Sequence, residues 1–129
     1  MPKFKSNKER LSGAECTGAL GAVGDAIYVI GGKWKLKIII ALSEGNKRFN
    51  ELQRTVHGIS ARVLSNELKD LEENGFVVRN VYAESTPVLV EYELTDYADT
   101  LSDVLTALRA WGMMHKEKIR EQMRVAESV

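Results

Sequence analysis

A single cysteine, Cys16, leaves this chain unable to form an internal disulfide. Only two histidines are present, His57 and His115, and no metal-binding cluster is expected from them. No apolar run approaches the roughly 20 residues that a membrane helix needs. The basic start, Met1-Pro2-Lys3-Phe4-Lys5, is not followed by the apolar core of a signal peptide, so a cytoplasmic protein without a membrane partner is expected. Nucleophile–base pairs, phosphate loops and redox dithiols are missing, which leaves no expectation of an enzyme or a cofactor. Net charge is also missing, because 18 basic residues balance 18 acidic ones.

What is present fits one domain with one core. The chain has 129 residues, of which 44% are hydrophobic, too many for a disordered polymer. The charge is unevenly spread. Residues 33–70 carry eight basic and four acidic side chains, whereas residues 71–129 carry six and eleven. A neutral chain can therefore present a local basic face, as a nucleic-acid binder requires.

Residues 1–15 are polar and read as a flexible N-terminal arm. A first helix is expected from about Thr17, with Leu20, Val23, Ile27 and Ile30 at helical spacing and Gly31-Gly32 as its end. A second is expected over Lys33 to Ser43. Trp34, Ile38 and Leu42 form its face, which Ile39, Ile40 and Ala41 broaden, so it should be mostly buried. Lys33 and Lys37 can share one side of it.

The next stretch is the most informative. Phe49, Leu52 and Val56 predict a short helix from about Arg48, interrupted at His57-Gly58-Ile59. Ser60 is a good N-cap for a further helix with Val63, Leu64, Leu68 and Leu71 as its stripe and Asn74-Gly75 as its end. Two short helices around a tight Gly-containing turn form a helix-turn-helix. The residues Phe76–Tyr82 and Leu89–Thr95 read as strands joined by 83–88, and a hairpin directly after a recognition helix is a wing. From Asp96 the pattern is helical again, through Leu101, Val104, Leu105, Leu108, Trp111, Ile119 and Met123. Its first part should pack on the core, while the tail from Lys116 is too polar for burial in a monomer. The fold class is therefore α+β, mainly α: a winged helix-turn-helix with a β-hairpin wing and a long terminal helix. The domain spans residues 16–115, and 116–129 form a C-terminal helical extension.

In a helix-turn-helix the second helix enters the major groove of double-stranded DNA. Its outward polar residues are Ser60, Arg62, Ser65, Asn66 and Lys69. Arg62 suits guanine or phosphate and Asn66 suits adenine, while the two serines suit phosphate or base edges. The Lys47-Arg48 pair suits a phosphate, and so does Lys33 at the start of a helix. Solvated surface charge describes Lys33, Lys47 and Arg48 equally well. Trp34 and Trp111 read as core or interface residues. Tyr82, Tyr92 and Tyr97 suit either strand packing or the wall of a small cavity near the wing.

Several segments in order resemble the HxlR-type regulators, a branch of the winged helix-turn-helix proteins related to the MarR group. They are Cys16, Ile30-Gly31-Gly32-Lys33-Trp34, Lys47-Arg48-Phe49-Asn50-Glu51-Leu52, Gly58-Ile59-Ser60, Leu64 to Leu71, Gly75-Phe76-Val77, Val90 to Thr95 and Ala110-Trp111. The resemblance implies a homodimer built by the first and last helices, a pseudo-palindromic operator, and transcriptional regulation, with repression as the expected direction. It also implies that Cys16 is a candidate redox or electrophile sensor and that an oxidant or small molecule is a candidate effector. An inert thiol is the plainer reading of Cys16. Two positions depart from the family: Thr17 follows the cysteine where proline is common, and Leu89 stands where a basic wing residue is common. Glu84 is the one charge in the 83–88 loop, so the wing is expected to contribute little to minor-groove binding. A winged-helix module that binds protein instead of DNA is the alternative.

Overall fold

The computed structural model describes residues 10–128. Five helices and a hairpin follow one another: α1 (Gly13–Ile30), α2 (Lys35–Ser43), α3 (Phe49–Thr55), α4 (Ala61–Glu73), β1 (Val77–Tyr82), β2 (Leu89–Leu94), a 3-10 turn (Asp96–Leu101) and α5 (Ser102–Glu127). This is the expected winged helix-turn-helix with its long terminal helix. The expected arm of residues 1–15 lies outside the described residues for positions 1–9.

The first helix begins earlier than its apolar spacing suggests. Ser12 Oγ accepts from the Glu15 N–H at 3.1 Å, and the Glu15 carboxylate accepts from the Ser12 N–H at 3.1 Å. This reciprocal cap satisfies two free helix-end donors and sets the start at Gly13. Cys16 therefore lies within the first turn, its N–H bonded to the Ser12 carbonyl at 2.9 Å, and not ahead of the helix. At the other end, the Gly31 N–H reaches Ile27 O at 2.7 Å. A Cβ on Gly31 would sit 2.2 Å from that oxygen, so only glycine fits the turn into α2. The turn extends through Trp34, and α2 starts at Lys35 instead of Lys33.

The core gathers one face from each central element. Ile38, Ile39 and Leu42 of α2 meet Leu52 of α3, Leu64, Leu68 and Leu71 of α4, and Phe76 and Val77 at the start of the hairpin. Burying a side chain of this size contributes about 1.5–3 kcal/mol. Ile40, expected to broaden the buried face of α2, is exposed instead. It stands roughly 200° around the helix from Ile38, which turns it away from the core.

The wing pairs antiparallel from Val77 opposite Leu94 to Tyr82 opposite Leu89. A single antiparallel bridge outside the two strands, absent from the sequence reading, docks the hairpin on the helices. Lys47 and Tyr92 exchange both backbone bonds, Lys47 N to Tyr92 O at 3.1 Å and Tyr92 N to Lys47 O at 2.7 Å. Glu93 adds to it by accepting from Asn46 and from Asn80, each at 3.2 Å.

The two long helices touch this core only at one end each, α1 through Val29 and Ile30 and α5 through Val104 and Leu105. Neither α1 nor α5 contains a buried residue. Val104 and Leu105 are half-buried against the core, but from Thr106 onward α5 is exposed. Exposure thus begins ten residues before Lys116, where the polar tail was expected to leave the core. The boundary expected at 115/116 falls inside one continuous helix. No helix among the described residues is long and apolar enough to cross a membrane.

Candidate nucleic-acid interface

The helix-turn-helix is formed by α3, the segment 56–60 and α4. At its entry the Glu51 carboxylate accepts from the Arg48 N–H at 3.1 Å, which caps α3. Val56 and Ile59 are buried within the turn and anchor it. Gly58 between them has φ +86°, a left-handed conformation that costs a side-chain-bearing residue about 1–2 kcal/mol. Ser60 Oγ then accepts from the Val63 N–H at 3.2 Å and starts α4.

The faces of α4 divide sharply. Leu64, Leu68 and Leu71 are buried, whereas Ser60, Ala61, Arg62, Ser65, Asn66 and Lys69 are all exposed. At about 100° per residue, Arg62, Ser65, Asn66 and Lys69 share an arc opposite the core. Among the described residues, neither Arg62 nor Lys69 has an ion-pair partner. The expected readers therefore stand together, open to solvent, on a rigid helix.

The outlying basic residues separate into two groups. Arg48 is exposed and points from the N-terminal edge of α3. With Phe49, Asn50, Glu51, Arg54, Val88 and Val90 it lines an open cleft of about 340 Å³ between α3 and the wing. Arg54, a second exposed cation there, had not been singled out from the sequence. Lys33 is exposed but precedes α2 and so does not mark a helix start. Its ammonium lies 4.8 Å from the centre of the Trp34 ring, and that of Lys37 lies 5.3 Å from it.

Lys47 corrects the sequence reading. Only 9% of it is exposed, and its ammonium is 2.5 Å from the Glu44 carboxylate. The Lys47 hydrogen bond and charge hold the Glu44 carboxyl below the usual carboxylate range. The strand pairing with Tyr92 turns this side chain inward, so it is not available for a phosphate. The sequence reading also missed Lys35, whose ammonium lies 3.0 Å from Glu67 and 3.5 Å from Asp70 on α4.

The wing itself carries more acid than base, with Glu84, Glu91 and Glu93 against a single arginine. Arg79 is its one cation between Val77 and Leu94, and the loop between its strands carries Glu84. Tyr92 packs against the core cluster, and Tyr97 stacks on Phe76 at 5.1 Å, so both take the packing role. Tyr82 is exposed.

Comparison with known proteins gives the family to which this fold belongs. The profile of the HxlR-like helix-turn-helix family matches residues 29–120. The HTH-type transcriptional regulator YtcD of Bacillus subtilis is 40% identical over 98 residues, which cover 76% of this chain and 77% of that protein. The solved structure of the redox regulator HypR in its oxidized form superposes with a TM-score of 0.68 at 39% identity, covering 72% of this chain and 95% of that one. Diamide-treated YodB from B. subtilis superposes with a TM-score of 0.61 at 32% identity, covering 82% and 96%. The chain belongs to the HxlR-like helix-turn-helix family of DNA-binding transcriptional regulators.

Proposed function

We propose that this regulator represses transcription by binding a pseudo-palindromic operator as a homodimer, with α4 of each protomer in the major groove. The observation that carries this reading is the solvent-facing arc of α4. Arg62, Ser65 and Asn66 read base edges from it, while Ser60, Lys69, Arg48 and Lys33 hold the backbone. In a random duplex pool the protein should select two related half-sites about 10 base pairs apart, one helical turn. Selection of a single half-site, or of none, would contradict the dimeric reading.

Dimerisation is supported by what the monomer leaves uncovered. α1 carries Gly13, Gly18, Gly21 and Gly24 and has no fully buried residue; only Val29 and Ile30 at its end pack partly on the core. Each interior glycine costs a helix about 1 kcal/mol relative to alanine, so packing against something else must sustain this one. Its exposed Leu20, Val23 and Ile27 form one stripe, and α5 exposes Leu108, Trp111 and Ile119 on another. A twofold pairing would cover both.

Cys16 sits four residues before Leu20 on the same stripe of α1 and is exposed. That position brings it toward the proposed partner. HypR is described as a redox regulator, and YodB is known in a diamide-treated form. The reading is that two Cys16 thiols, one from each protomer, join as a disulfide. Their two protons and two electrons pass to the oxidant, which for diamide becomes the hydrazine. Operator affinity of the wild type should then change at least about fivefold on diamide treatment, a modest coupling free energy. Cys16→Ser should not respond. Equal responses in a mobility-shift titration would remove the sensor role.

A further inference from the structure

The Lys35 ammonium is the one cation on α2 that reaches the recognition helix. It donates to Glu67 Oε2 at 3.0 Å and lies 3.5 Å from Asp70 Oδ2. Its side chain is only 14% exposed and that of Glu67 21% exposed, so the pair is largely withdrawn from water. Burial alone would pull this lysine down, but the Glu67 and Asp70 carboxylates outweigh it and hold it above the usual lysine range.

The placement of those carboxylates matters. At about 100° per residue, Glu67 and Asp70 lie on the flank of α4 between the core stripe and the arc of Arg62, Ser65 and Asn66. Asn66 is next to Glu67 in the chain. The leucines fix the depth of α4, but an apolar stripe resists rotation about the helix axis only weakly. A polar clamp on one flank supplies a directional constraint. The preceding residue helps: Trp34 lies against the turn, its ring 3.9 Å from where a Cβ on Gly58 would stand. The start of α2 thus grips both the turn and α4.

We propose that Lys35 is a positioning residue for sequence discrimination, clamping Glu67 and Asp70 so that α4 presents Arg62, Ser65 and Asn66 at a fixed angle to the groove. This rests on the major-groove reading above. A clamp that only added stability, or only balanced charge, would act alike on every duplex. A positioning clamp acts on the ratio between the right duplex and the wrong one.

The test compares two duplexes by fluorescence anisotropy: one that the wild type selects from a random pool and one with that sequence scrambled. Lys35→Met keeps much of the buried stem and removes the charge. The preference for the selected duplex should fall about tenfold, the scale of one broken coupling, with scrambled-duplex affinity within about threefold of wild type. The double variant Lys35→Glu/Glu67→Lys re-forms a pair in reverse and should regain most of the preference. A folded Lys35→Met that retains the wild-type ratio overturns the proposal. If Lys35→Met does not fold, the reversed pair decides: a folded double variant with wild-type preference supports the clamp, and one without it contradicts it. A wild type that selects no duplex would instead refute the major-groove reading, and the clamp with it.

Discussion

Replacing Arg62 and Asn66 together with alanine should reduce operator binding to about the level of a scrambled duplex. Both side chains are exposed on the arc of α4 away from Leu64, Leu68 and Leu71, so their loss leaves the core intact. Each bidentate base contact contributes about 1–3 kcal/mol of discrimination, and a dimer makes each contact twice. Four lost contacts amount to at least about 4 kcal/mol, close to a thousandfold in affinity. Scrambled-duplex affinity should change far less, because the proposed phosphate contacts of Arg48, Lys33 and Lys69 would remain. Thermal melting should stay within a few degrees of wild type, as is usual for surface substitutions. Anisotropy titrations of both duplexes check this. A loss of equal size on both would assign the two residues to the backbone instead.

The second large effect is expected at Trp111. It is 58% exposed in the protomer and stacks on His115 with ring centroids 4.9 Å apart. Leu108, Trp111 and His115 follow at helical spacing on the face that the core leaves uncovered beyond Leu105. A buried aromatic anchor at an interface contributes about 2 kcal/mol or more, and twofold symmetry counts it twice. Trp111→Glu also places two carboxylates where apolar surface should meet. The variant should sediment as a monomer with a folded core. Operator affinity should fall about 10²- to 10⁴-fold, because the second half-site loses its linkage to the first. Analytical ultracentrifugation and anisotropy on the same sample check both parts. A Trp111→Glu protein that remains a dimer would move the interface off this face of α5.

The parts of the fold that were legible in the sequence are those determined locally. Ser60 as a cap, the stripe of Val63, Leu64, Leu68 and Leu71, and Asn74-Gly75 as a stop all lie within one helix, and α4 matches them. The hairpin follows from its β-branched and aromatic runs in the same way. What was missed had three sources. One was a local signal given too little weight: Ser12 and Glu15 have capping-box spacing, but the polar composition around them suggested an arm. Another was distance along the chain. Lys47 turns inward because Tyr92 pairs with it, and Lys35 meets Glu67 across 32 positions. Neither partner can be identified from spacing. Ile40 is a third kind of case: an unbroken apolar run does not reveal which side of a short helix faces out.

The site was legible to the same degree. The exposure of Arg62, Ser65, Asn66 and Lys69 was legible because the core stripe fixes what must face away from it. The basic residues outside α4 were not, since surface lysines and arginines carry no periodic signal. Lys47 proved internal, Lys33 precedes its helix, and Arg54 had passed unnoticed.

The central claim is that this face of the protein holds DNA twice over, through α4 and the cations around it. A salt titration of affinity for the selected duplex tests it most directly. With Lys33, Arg48 and Lys69 each neutralising a phosphate in both protomers, log K should fall linearly with log salt at a slope of about −5. A slope near zero, or an affinity indifferent to duplex sequence at every salt concentration, would contradict the account.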